Sequence, residues 1–214
     1  MTKAKKIGIT TRIVNAQGYD ELRDALSQEW VKLLEKEDFI PIFIPNNLSN
    51  ITKFLENNEI QGIILSGGDN IGESKDRDHT ENEILEFGIN KKIPIFGVCR
   101  GMQVINNFFK GKIRTIADNS HVGKFHEITI LDKKISDVIN KEKISVNSYH
   151  KNIIKKGDLG ESLLTFALNE QDNTVEGLLH ETLPIMGVMW HPERDPNENS
   201  EIVNKFLLKN IELN

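Results

Sequence analysis

Through the first hundred residues the apolar positions fall into short, nearly unbroken runs at Lys6 to Thr10, Phe39 to Ile44, Ile60 to Leu65 and Ile93 to Val98. Between them, around Glu21 to Glu37 and Thr80 to Asn90, apolar residues recur at helical spacing. A strand with one wet face alternates polar and apolar residues, whereas an unbroken run indicates burial on both faces, the condition of parallel strands covered by helices. The pattern predicts an α/β fold with a mainly parallel central sheet flanked by helices. Beyond Gly111 the rhythm changes. Glu127 to Leu131, Lys143 to Asn147, Leu163 to Leu168, Thr174 to His180 and Pro184 to Trp190 read as extended segments with few helices between them. This spacing suits additional antiparallel strands at the edge of the main sheet. A final helix is expected near Ser200 to Leu208. Asp69 to His79 and Asp118 to Lys124 are polar, lack a period and read as mobile loops.

A chain of 214 residues suffices for one well-buried domain, and no composition break divides it, so a single domain over residues 1–214 is expected. Hydrophobic residues make up 38% and charged residues 28%, the balance of a folded protein. A net charge of −5 opposes a nucleic-acid surface, which needs a Lys/Arg excess to neutralise phosphate. The basic start, Met1-Thr-Lys-Ala-Lys-Lys, has no signal-peptide apolar segment behind it and no apolar stretch reaches membrane-spanning length, so a cytoplasmic protein with no membrane partner is expected. The single cysteine rules out an internal disulfide. No His or carboxylate spacing offers a metal ligand set, and neither metal nor cofactor is expected.

That cysteine sits in Pro94-Ile-Phe-Gly-Val-Cys99-Arg-Gly-Met-Gln103, an apolar strand that runs through Gly-x-Cys-x-Gly into a helical pattern. Glycines on both sides permit a sharp strand-to-helix turn that displays the central side chain at the sheet edge. There the first helical turn offers unpaired amides and a positive dipole end, which favour a thiolate and a developing oxyanion. Gln103, four residues on, shares the helix face of Cys99 and can reach a bound substrate. Ile63-Ile-Leu-Ser66-Gly67-Gly68-Asp69 ends a second strand in paired glycines, and Gly68 is a candidate oxyanion donor. Gly187-Val-Met-Trp-His191-Pro192-Glu193 delivers a histidine and a carboxylate to the end of a third. An imidazole that accepts the thiol proton, and a carboxylate that orients it, complete a nucleophile, base and orienter set. Ser145-Val-Asn147-Ser148-Tyr149-His150-Lys151 ends a strand with dense hydrogen-bonding capacity, as a substrate-binding loop or an ordinary polar turn does.

Together the Cys99 turn, the Leu-Ser-Gly-Gly loop and Trp-His191-Pro-Glu193 resemble the class I glutamine amidotransferase-like proteins, over nearly the whole chain. Cys-Arg-Gly, Val-Asn-Ser-Tyr-His and the Ile-Thr-Thr-Arg opening resemble the γ-glutamyl hydrolases of the peptidase C26 group more than the ammonia-donating subunits. The resemblance implies a flavodoxin-like three-layer sandwich and hydrolysis of a γ-glutamyl amide through a thioester on Cys99. His191 and Glu193 complete the catalytic set, and the amides of Gly68 and Arg100 form the oxyanion hole. Gly67, Gln103, Ser148, Tyr149 and His150 contact a small-molecule γ-glutamyl substrate, and the protein is a monomer or homodimer. The best-known substrates of the group are γ-glutamyl-γ-aminobutyrate and γ-glutamyl peptides. The short chain, the His121-Val-Gly-Lys124-Phe-His126 loop and Asn147-Ser-Tyr-His are also similar to the γ-glutamyl-CDP-amidate hydrolases of capsule phosphoramidate synthesis. That likeness, with Arg12, Lys75 and Arg77, implies an anionic, nucleotide-linked leaving group. A glutaminase subunit serving a separate synthetase is the alternative.

Overall fold

The structure is a computed structural model and describes residues 4–194. The helix expected near Ser200 to Leu208 lies outside the described residues. The chain opens with β1 (Lys5–Thr10), the hairpin of β2 (Arg12–Asn15) and β3 (Leu22–Ala25), α1 (Gln28–Lys36) and β4 (Phe39–Ile44). It continues through α2 (Ile51–Asn57), β5 (Gly62–Leu65), α3 (Lys75–Lys91), β6 (Ile95–Val98) and α4 (Arg100–Phe108). Then follow β7 (Arg114–Thr115), β8 (Val122–Ile130), α5 (Lys133–Ile139), β9 (Lys143–Tyr149), β10 (Asn152–Ile153), β11 (Leu163–Asn169), β12 (Thr174–His180) and β13 (Ile185–Val188).

The main sheet has nine strands in the order β4-β1-β5-β6-β13-β12-β11-β8-β9. The first five are parallel. From β12 to β9 each strand runs antiparallel to its neighbour. The expected mainly parallel sheet with an antiparallel extension is therefore present. Alternate residues of the strands serve opposite faces. Ile64 and Phe96 pack with Trp30 and Leu34 of α1 and Ile135 of α5. Ile63, Leu65 and Ile95 pack instead with Leu55 of α2, Ile84 and Leu85 of α3, and Met102 and Ile105 of α4.

Pro184 to Trp190, whose spacing groups it with the antiparallel edge strands, instead carries β13 inside the sheet, parallel to β6 and antiparallel to β12, because apolar spacing does not encode pairing order. Three other expectations need correction. The first part of the span read as a helix from Glu21 to Glu37 is the return strand of a hairpin, in register Arg12↔Ala25 to Asn15↔Leu22, and α1 begins only after Ser27. Only from Trp30 onward do apolar residues recur on one face and become buried, as Trp30, Leu33 and Leu34. Second, the polar stretch Asp69 to His79 is not all loop, since α3 starts at Lys75. Its buried face includes Arg77, Thr80 and Glu81, so the helical period is carried by polar side chains that a hydrophobic pattern does not register. Third, the segment Asp118 to Lys124 ends in the first residues of β8. The short helices α2 and α5 also escaped the pattern, and each begins at a side-chain cap, from Asn50 and Asp132 respectively.

Because β1, β5, β6 and β13 are parallel, their C-terminal ends open on one edge of the sheet. That edge carries Thr11-Arg12, Ser66-Gly67-Gly68, Cys99 and Trp190-His191. It is also where ligands of open α/β sheets sit.

Candidate active site

Cys99 occupies a turn that only close backbone packing can hold. A Cβ at Gly101 would stand 2.0 Å from the Leu65 carbonyl oxygen, and one at Gly97 would stand 2.6 Å from the Gly101 carbonyl carbon. Both glycines are thus required for β5, β6 and α4 to meet backbone to backbone. Between them Cys99 adopts φ 52° and ψ −104°, a conformation that costs a side-chain-bearing residue on the order of 1–3 kcal/mol. The turn is held by a 2.8 Å bond from the Cys99 amide to the Val188 carbonyl. Cys99 heads α4, so the amides that follow it have no helical partner.

His191 leaves β13, which pairs with β6 in the register Val188↔Val98 and so brings the histidine beside the cysteine turn. Its Nδ1 lies 2.7 Å from Glu193 Oε1, leaving Nε2 for the sulfur. Burial pushes the His191 imidazole down, but its hydrogen bonds and charge interactions with Cys99 and Glu193 outweigh this and raise it to about 9. The position of the ring is fixed from β9. Asn147 donates Nδ2 to the His191 carbonyl at 2.9 Å and accepts the His191 amide at 2.8 Å. Tyr149, two residues on, meets the His191 ring edge-on at 5.8 Å, and the Arg194 guanidinium lies 4.6 Å over the tyrosine.

The glycine loop completes the site. A Cβ at Gly67 would stand 2.8 Å from His191 Cε1 and 3.6 Å from Cys99 Cβ, so the loop passes directly beside both. Gly68 has φ 130°, and a side chain there would also meet Arg77 Nη1 at 2.8 Å. Behind the loop Arg77, fully buried, donates Nη2 to the carbonyls of Ser66 at 2.9 Å and Gly67 at 3.0 Å. The Gly67 carbonyl and Gly68 amide belong to one planar trans peptide and point in opposite directions. By holding the carbonyl, Arg77 turns the Gly68 N–H away from itself. Arg77 is paired in turn with Glu81 at 3.1 Å, and Glu81 also accepts from Thr10 Oγ1 at 2.9 Å and from Arg100. Arg100 pairs further with Asp78 at 2.5 Å. The side chain after the cysteine is therefore a buried strut between α4 and α3, and only its amide faces the turn.

A pocket of about 240 Å³ adjoins these groups, bounded by Arg12, Leu26, Trp30, Gly67, Gly68, His191 and Arg194. Of the basic residues expected near a leaving group, Arg12 reaches this pocket and is paired with Asp69 at 2.9 Å. Arg77 is committed to the buried network, and Lys75 lines a separate depression with Glu73 and Asp76. Arg194, which the motifs did not flag, joins Arg12. Other expected contacts point elsewhere. Gln103 Nε2 lies 3.7 Å from the Met189 sulfur, Ser148 Oγ donates to the His121 carbonyl at 2.7 Å, and His150 Nδ1 lies 3.0 Å from the Asn152 carbonyl. Ser148 is turned away because side chains alternate along β9, which directs Asn147 and Tyr149 to His191, and His150 follows the strand's last residue. Asn147 and Arg77 are the positioning groups that the sequence motifs contained without showing their role.

Residues 6–193 match the Peptidase C26 family model. The chain belongs to the peptidase C26 family. This C26 protein is 36% identical to a γ-glutamyl-CDP-amidate hydrolase of Campylobacter jejuni over 91% of its own length and 92% of the relative's. It is 29% identical to a glutamine-hydrolyzing GMP synthase subunit of Methanococcus aeolicus, over 78% of its length and 83% of the relative's. Its fold matches the glutaminase domain of Trypanosoma brucei CTPS with bound acivicin at a TM-score of 0.71, with 14% identity, covering 95% of this chain and 92% of that one. The fold is thus class I glutamine amidotransferase-like, and the family is one of hydrolases. Among the described residues no helix is long and apolar enough to cross a membrane.

Proposed function

We propose that this protein hydrolyses a γ-glutamyl amide through a thioester on Cys99, acting from a single catalytic domain. The observation that carries this reading is the meeting of three separate strand ends, bearing Cys99, His191 with Glu193, and Gly67-Gly68, at one edge of the sheet. The Cys99 sulfur, its proton already held on His191 Nε2, attacks the γ-carbonyl carbon. The oxyanion is stabilised by the amides of Gly68 and Arg100. As the carbon–nitrogen bond breaks, the same proton moves to the departing nitrogen. Water then attacks the thioester, giving a proton to His191 that stays there as glutamate leaves and the Cys99 thiolate is restored. Glu193 keeps the imidazole in the tautomer that presents Nε2.

For the leaving group, two observations favour a phosphate-bearing amine: the likeness to a γ-glutamyl-CDP-amidate hydrolase, and the guanidinium groups of Arg12 and Arg194 at the pocket. The test is glutamate release from γ-glutamyl-CDP-amidate, γ-glutamyl-γ-aminobutyrate and glutamine, each with wild type and Cys99→Ala. The nucleotide amidate is expected to have the highest kcat/KM, and Cys99→Ala to lose about a thousandfold or more. Equal rates in Cys99→Ala would overturn the thioester mechanism. Preference for glutamine, increased by a partner synthetase, would turn the assignment to an ammonia-donating role.

A further inference from the structure

A second polar cluster lies within the antiparallel half of the sheet and takes no part in the chemistry proposed at Cys99. Glu176 of β12 is wholly buried, and its ion-pair neighbours among the described residues are three histidines. Its carboxylate oxygens lie 3.8 Å from His121 Nδ1, 3.5 Å from His126 Nε2 and 3.9 Å from His150 Nε2. All three of those nitrogens, and Glu176 Oε2, are buried without a hydrogen-bond partner. Buried nitrogens and oxygens without a hydrogen bond are costly, since each has given up water and here has only long ion-pair neighbours in return.

The other nitrogens of two rings are already engaged. His121 Nε2 is held by Asp172 at 2.7 Å, and His150 Nδ1 by the Asn152 carbonyl at 3.0 Å. This fixes both imidazoles so that the unpartnered nitrogen faces Glu176, the way a carboxylate or carbonyl orients a metal-binding histidine. Tetrahedral bonds of about 2.0–2.1 Å separate donor atoms by roughly 3.4 Å, and one donor atom from each of His121, His150 and Glu176 already lies within 4.8 Å of the other two, so a modest inward shift of these side chains would bring the three onto one ion.

We propose that His121, His150 and Glu176 form a structural site for a divalent zinc-class ion. Two imidazoles and one carboxylate suit zinc with water as the fourth ligand, and His126 stands beside the other carboxylate oxygen of Glu176. The ion would join the segment before β8, the residue that follows β9, and β12, and so brace the strand that supplies Asn147 and Tyr149. The donors are far apart in sequence, at positions 121, 150 and 176, which is why no ligand spacing is visible there.

The test is metal content of the full-length protein, reconstituted with zinc and exchanged into metal-free buffer. Wild type and Cys99→Ala are expected to keep about one zinc per chain, and His121→Ala and Glu176→Gln less than about a tenth of that. Cobalt in place of zinc should give the intense visible bands of tetrahedral coordination in wild type and not in the cluster variants. Zinc should also raise the unfolding temperature of wild type and not of Glu176→Gln. If these variants do not fold, His150→Gln is measured in the same way. Zinc retained equally by the cluster variants, zinc lost only with Cys99→Ala, or a reconstituted wild type that holds none would each overturn the proposal.

Discussion

Cys99 holds a backbone conformation that suits glycine better than cysteine, with φ 52° between two glycines that cannot carry side chains. The strain is part of what displays the sulfur, and its removal has a readable effect. Cys99→Gly should abolish glutamate release while raising stability in urea unfolding by about 1 kcal/mol. His191 yields a pH prediction. Its imidazole is pushed down by burial but raised overall to about 9 by Cys99 and Glu193. A raised histidine stabilises the native state fully below about pH 6.5, and this contribution is lost as pH rises through about 9. Activity that needs the His191 proton should fall over the same alkaline limb of a kcat/KM profile. Glu193→Gln should move that limb to lower pH, because one of the interactions that raise the imidazole is gone. These residues were legible from sequence because each lies in a local motif, with the glycines or the carboxylate only two residues away. Asn147 was not, since it acts on His191 across 44 positions of sequence.

The elements beneath those residues are tied together by charge as much as by apolar packing. α3 presents Arg77, Asp78 and Glu81 to the glycine loop and to Arg100 of α4. Glu81→Leu would strand two buried guanidinium groups, and a loss of about 3–5 kcal/mol in unfolding free energy is expected. Arg77→Lys keeps a charge for Glu81 but not the fork that grips two carbonyls. Steady-state kinetics should show kcat reduced about 10- to 100-fold with KM little changed, as the Gly68 amide loses its aim. The polar character of this helix also explains why its start was hidden. Hydrophobic periodicity finds helices that bury Trp30 or Met102, and it passes over one whose inward residues are Arg77 and Glu81. The strands fared better because burial on both faces makes their runs almost wholly apolar.

Across the whole molecule, the change from parallel to antiparallel strands was visible as a change in rhythm after Gly111, but the order of strands was not. The sheet places β13 between β6 and β12, at the junction of the two halves. Its hydrogen bonds to both neighbours make this junction the expected slow centre of amide hydrogen exchange, and exchange rates measured along β6, β12 and β13 check that. The position has a further consequence for how the protein is made. A ribosome releases β6 and its cysteine long before β13 emerges, so the growing chain carries two unpaired strand edges facing a gap that only the last described strand can fill. Until that strand arrives, the thiol has no imidazole beside it. Under the proposed thioester mechanism, reactivity at Cys99 therefore waits for β13, and the insertion that closes the sheet is the same event that arms the thiol.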